Sequence, residues 1–260
     1  MTACATLPAL ARYTIGLGDD ALVLAQRCGE WITRAPQLEE DVALANIGLD
    51  LLGQARALLS YAGRLEGAGR DEDDLAYLRD ERDFLNVQLV ELDNGDFAVS
   101  MARLLVFSAY SYELYDRLQG SADETLAAVA AKAIKEVDYH RDHATEWVLR
   151  LGDGTDESHV RMQAGLETVW PYVDELFTAQ GRHGTWPPPD LVTSGHAVDP
   201  ESLREPTTAY VHQVIDQATL AVPTASWTAT GGRQGVHSTA MGHLLAEMQH
   251  IHRSHPGASW

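Results

Sequence analysis

Apolar residues recur every three or four positions along almost the whole chain, which is the spacing of one face of an α-helix. Leu17, Ala21, Leu24, Cys28 and Trp31 form the first such stripe. Asp19 or Asp20 is placed to cap its start, and Pro36 to stop it near Ala35. A second helix is predicted over 38–62, with the stripe Leu44, Ile47, Leu51, Leu58 and Ala62. Its first turn holds Glu39, Glu40 and Asp41, where the helix dipole favours anions. Beside the stripe, Ala45, Gly48, Leu52 and Ala55 make a face that lets a partner helix come close. The acidic run 71–74 reads as a solvated helix start, with the helix continuing toward Leu89. From Phe97 to Leu118 the chain is apolar on most sides, as in a helix central to a bundle. The next helix, 123–151, carries the regular stripe Leu126, Ala130, Ala133, Val137, His140, Ala144, Trp147 and Leu151. A further helix is predicted over 156–179, a proline- and glycine-rich loop over 181–200, and shorter helices over 202–220 and 239–253. No strand pattern and no solenoid repeat stand out. The expectation is one all-α domain: a bundle over about 15–180, then the loop, then C-terminal helices over about 201–255.

Charge narrows the function classes. The chain has 260 residues, with 38 Asp and Glu against 19 Lys and Arg, a formal net charge of −19. Nucleic-acid binding needs a basic face, and an anionic membrane surface would repel this chain. Apolar residues make up 45% of the sequence, enough for a core, so disorder is excluded as well. Cys4 and Cys28 have no redox or metal-ligand spacing, and no secretory signal opens the sequence, so the cytoplasm is the expected compartment.

Long helical bundles house di-iron sites built from a Glu on each of two helices and a Glu-x-x-His on each of two others. His140 lies on the core stripe of its helix, but Val137 stands three residues before it where the Glu belongs. Glu136 is one residue off, rotated by about 100° around the axis. The second helix has no Glu-x-x-His at all. A lone histidine on an apolar stripe reads as a satisfied core residue. Glu247 and His250 do form a Glu-x-x-His, with His243 on the same face of the last helix, a spacing suited to zinc but also to an exposed polar face. The segment 230–235, TGGRQG, could offer backbone N–H groups and Arg233 to an anion, though it matches neither the P-loop nor the dinucleotide fingerprint.

Several long segments carry a more specific signal. LGDDALVLAQRCGEW, LANIGLDLLGQAR, RDERDFLNVQLVELDNGDFA, AKAIKEVDYH, LRLGDGTDES and TGGRQGVH, in this order, closely resemble the C-subunit family of the bacterial ring-1,2-phenylacetyl-CoA epoxidase, or phenylacetate-CoA oxygenase. The resemblance spans about Tyr13 to Trp260. It implies an all-α, ferritin-like fold. It also implies membership of a di-iron monooxygenase complex that epoxidises the ring of phenylacetyl-CoA with O₂. In that complex, NADPH electrons arrive through a reductase that holds flavin and an iron–sulfur cluster. The iron sits in a homologous catalytic A subunit, and the C-type protein pairs with it without metal or cofactor of its own. By resemblance, the vestigial di-iron positions here are Ala45, Gly48, Val137 and His140, which lack the ligand set. Three further expectations follow: self-association of the chain, a contact of Arg233 with the CoA ester, and Lys132 or Lys135 neutralising carboxylates at the emptied site. The competing reading is an independent ferritin-like di-iron oxygenase or oxidase.

Overall fold

A computed structural model describes residues 8–178, 180–181 and 184–258. Cys4 and Trp260 lie outside them. The fold is all-α: the described residues hold ten α-helices and one hairpin of two-residue strands, β1 (Gln180–Gly181) and β2 (Gly184–Thr185). The chain divides into two compact units, each assembled from separate stretches of sequence.

Among the described residues, the first unit comprises 8–92, 180–181, 184–191 and 231–258. Its core is the pair α1 (Ala9–Gly29) and α2 (Leu38–Glu66). Every expected core position of α2, from Leu44 to Ala62, is buried. Gly48 explains how closely the helices meet: a Cβ there would stand 3.3 Å from the Cβ of Cys28. α2 ends at Gly67, whose φ of 69° closes the helix in the left-handed region. It is also long and apolar enough to cross a membrane by composition, but its stripe is packed against α1, as in a core helix. Helix α1 begins some ten residues earlier than the sequence suggests. Asp19 and Asp20 are therefore not caps: they lie mid-helix and buried. The acidic run does start a helix, α3 (Glu72–Tyr77), through a reciprocal capping box of Asp71 and Asp74. The helix stops there, however, and 84–87 runs extended and buried before the short α4 (Gln88–Glu91). α8 (Pro189–Thr193) lies in the loop segment, and α10 (Thr239–Ser254) packs against α3 and α4.

Among the described residues, the second unit comprises 93–178 and 192–230. α5 (Phe97–Leu118), capped by Asp96, is buried on nearly every side and packs against α6, α7 and α9. α6 (Glu124–Gly152), capped by Asp123, buries the expected stripe from Leu126 to Ala144. At its last turns Val148 and Gly152 replace Trp147 and Leu151, because a 3.6-residue turn drifts away from steps of three and four. α7 (Asp156–Val169) continues through 3₁₀ turns to Phe177, and α9 (Arg204–Gln217) follows a 3₁₀ turn at Pro200.

Candidate functional site

The densest polar arrangement lies in the first unit, around the extended segment 84–87. A buried segment without a ladder must satisfy its backbone groups elsewhere. Here helix α1 supplies the acceptors. The Leu85 N–H donates to Asp19 Oδ2 at 2.8 Å, and the Val87 N–H donates to Asp20 Oδ1 at 2.9 Å. Both aspartates are in turn paired with arginine. Arg79 forks onto Asp19, with its Nη1 at 2.9 Å from Oδ2 and its guanidinium over the Phe84 ring at 4.1 Å. Arg233 reaches Asp20 through Nη2 at 2.6 Å and Nη1 at 3.1 Å. The same Nη1 donates to the carbonyls of Gly16 and Leu85, at 2.9 and 2.7 Å.

Glu91 closes the other end. It accepts from Asn86 Nδ2 at 2.9 Å, from the His237 ring at 2.7 Å and from the Ser238 N–H. The His237 ring also bonds the Phe84 carbonyl at 3.1 Å. Arg27 donates to the Glu91 carbonyl and to that of Ala240. Three acids and four bases thus bind 84–91 and 231–238 to α1. Burial pushes the Asp20 carboxyl up to about 6, against the pull of Arg233. Burial alone would depress His237, but the hydrogen bond and charge of Glu91 outweigh it and hold the imidazolium above its usual range.

This geometry corrects the reading of Arg233. The glycine segment does turn sharply, with φ of 113° at Gly231 and 73° at Gly235, but it aims the guanidinium inward. Arg233 is 4% exposed and stands over the Trp186 ring, so it has no free edge for a CoA phosphate. The turn also needs Gly232, where a Cβ would lie 2.3 Å from the Asn86 carbonyl. The lysine expectation fails too. Lys132 and Lys135 are both exposed, and Lys132 pairs with Glu136 at 3.2 Å on the surface of α6.

The di-iron positions fall in different surroundings. Ala45 and Gly48, with Leu49 and Leu52, line an apolar groove of about 310 Å³ on the first unit. Val137 and His140 sit side by side on the buried stripe of α6 in the second. A di-iron centre needs four carboxylates and two histidines around one point. No group of three or more His, Cys, Asp or Glu that could hold a metal ion is found among the described residues, and Val137, 1% exposed, offers carbon where a carboxylate is required. The residues present do not fit the metal pair. The same holds for His243, Glu247 and His250, all exposed on α10 and not gathered into a ligand set.

The network escapes sequence reasoning because a helix cap and a mid-helix acid look alike when the helix start is misplaced. Its available signal is the Asp19–Asp20 pair flanked by apolar residues on both sides.

A family model described as phenylacetic acid catabolic protein matches residues 2–260. The chain is also 49% identical over 253 residues to the C subunit of 1,2-phenylacetyl-CoA epoxidase from Escherichia coli strain K12, covering 96% of this chain and 99% of that protein. The matched region includes both sides of the Asp19–Arg79 and Asp20–Arg233 pairs and the whole ligand-poor stripe of α6, and the chain belongs to the phenylacetic acid catabolic protein family.

Proposed function

We propose that the chain is the non-catalytic C-type subunit of a multicomponent monooxygenase that epoxidises the ring of phenylacetyl-CoA in aerobic phenylacetate degradation. The observation that carries the reading is the pairing of near full-length similarity to an epoxidase C subunit with an α6 that offers Val137 and His140 instead of Glu-x-x-His. Iron chemistry then belongs to a homologous catalytic subunit with which this chain pairs. NADPH, flavin and iron–sulfur electron transfer belong to a reductase component, and the complex resides in the cytoplasm. What this chain contributes is a rigid helical surface, its loops fixed by the buried ion pairs around 84–91.

The test is reconstitution with and without this chain, together with metal analysis of the chain purified alone. Epoxidation of phenylacetyl-CoA should require the chain in the mixture, and the chain alone should hold no stoichiometric iron. About two irons per chain, the content of a di-iron site, or turnover by the chain alone would replace this reading with an independent di-iron oxygenase.

A further inference from the structure

The apolar groove beside α2 continues into a second hollow of about 310 Å³, and the two share Leu22, Leu52 and Tyr77. Along its edge α2 exposes large apolar side chains in helical register. Leu38 is 73% exposed, Val42 54%, Leu49 65% and Leu52 44%, with Ala45 completing the seam at steps of four and three. Such a seam is what one helix presents to another. The floor is small: at Gly29 a Cβ would meet nothing within 4 Å, so an occupant's backbone can come close. From Ala45 to Arg56 the groove edge runs for about three helical turns.

Charge selects the occupant. Over 38–56, α2 carries Glu39, Asp41 and Asp50 outside the core, with Glu40 buried, against one base, Arg56, which is tied to Glu72 at 3.1 Å. Glu72 and Asp73 line the far hollow. A second copy of this chain would bring a like-charged rim against it, and an anionic bilayer would be repelled. We infer that this groove is a docking site for an amphipathic helix of another protein, with an aliphatic stripe for the seam and Lys or Arg along its flanks. The inference rests on the complex membership proposed above.

The test measures the affinity of the full-length chain for the remaining subunits of the complex, at low and high salt. Leu49→Asp should weaken binding about tenfold or more while the circular dichroism spectrum and melting temperature stay those of the wild type. Leu49→Met should bind as the wild type does. Val160→Asp, which charges an exposed apolar site on α7, should also leave affinity unchanged. Wild-type binding should weaken as salt rises, as a basic partner requires. If Leu49→Asp binds normally, another surface carries the contact and the groove proposal fails while complex membership stands. If the wild type binds none of the other subunits, the proposed function itself fails. Wild-type dimers dissociated by Leu49→Asp would name a second copy as the occupant. Leu49-dependent binding to vesicles of zwitterionic phosphatidylcholine would name a lipid surface. Either result overturns the inference.

Discussion

Replacing Arg233 with alanine separates two roles for this residue, ligand contact and internal support. In the structure its guanidinium makes a two-pronged pair with Asp20 and serves the carbonyls of Gly16 and Leu85, all in a setting 4% exposed. Removing it leaves Asp20 buried with the Val87 N–H as a remaining donor, and leaves the Leu85 carbonyl without this bond. Breaking a buried pair from one side costs about 3–5 kcal/mol. For a chain of this size each kcal/mol moves the melting temperature by roughly 2–4 °C. The expected drop is therefore about 6–20 °C, read by circular dichroism on the full chain at neutral pH, with urea unfolding as a second measure. The double variant Asp20→Asn/Arg233→Met tests the cause, because it removes both charges and restores apolar volume. It should recover part of the loss, giving a coupling energy of about 1 kcal/mol or more. A loss below about 1 kcal/mol for Arg233→Ala, within the ordinary range of substitutions away from buried networks, would refute the argument. Weakened CoA-ester binding by the assembled complex in such a stable variant would restore the ligand role.

Other consequences are equally direct. Gly232→Ala should destabilise by about 1–3 kcal/mol, because its Cβ would meet backbone atoms of Asn86, Val87 and Gln88, which cannot swing aside; chemical denaturation reads this. The raised pKa of His237 means that its pairing with Glu91 contributes fully below the ordinary histidine value of 6.5 and is lost as pH rises through the raised folded value. His237→Gln should therefore flatten the decline of stability on the alkaline side of 6.5, seen as melting temperature against pH relative to wild type. Val137→Glu restores the Glu-x-x-His spacing but buries a carboxylate without a partner set. It should cost about 3 kcal/mol or more and should gain no stoichiometric iron by elemental analysis.

The all-α fold is legible in the sequence because its evidence is periodic and redundant. Any single position of the α6 stripe could be misread and the remainder would still place the helix, as the exchange of Trp147 and Leu151 for Val148 and Gly152 shows. What cannot be read is what depends on a single residue's partner. The inward turn of Arg233 follows from Gly231 and Gly235 adopting positive φ and from Gly232 passing against Asn86, none of which leaves a mark distinct from a flexible loop. The two aspartates of α1 are likewise ambiguous, since Asp at a helix start and Asp facing a buried extended segment satisfy the same kind of donor, a backbone N–H.

That ambiguity bears on function. Among the described residues, the charges kept inside this chain do not converge on a metal; they are numerous and paired: Asp19 with Arg79, Asp20 with Arg233, Glu91 with His237. Buried ion pairs add little net stability over apolar packing, but they accept only one arrangement of the loops they join. Apart from the four-residue α4 and one 3₁₀ turn at 232–234, the segments 84–91 and 231–238 are irregular, and these pairs tie them in place. A rigid surface made from irregular loops is what a subunit needs if its contribution is to position a partner. The acidic excess divides accordingly. A few carboxylates lie inside and fix the loops, and others, on α2 and the first turn of α3, remain outside, where the proposed basic helix would meet them.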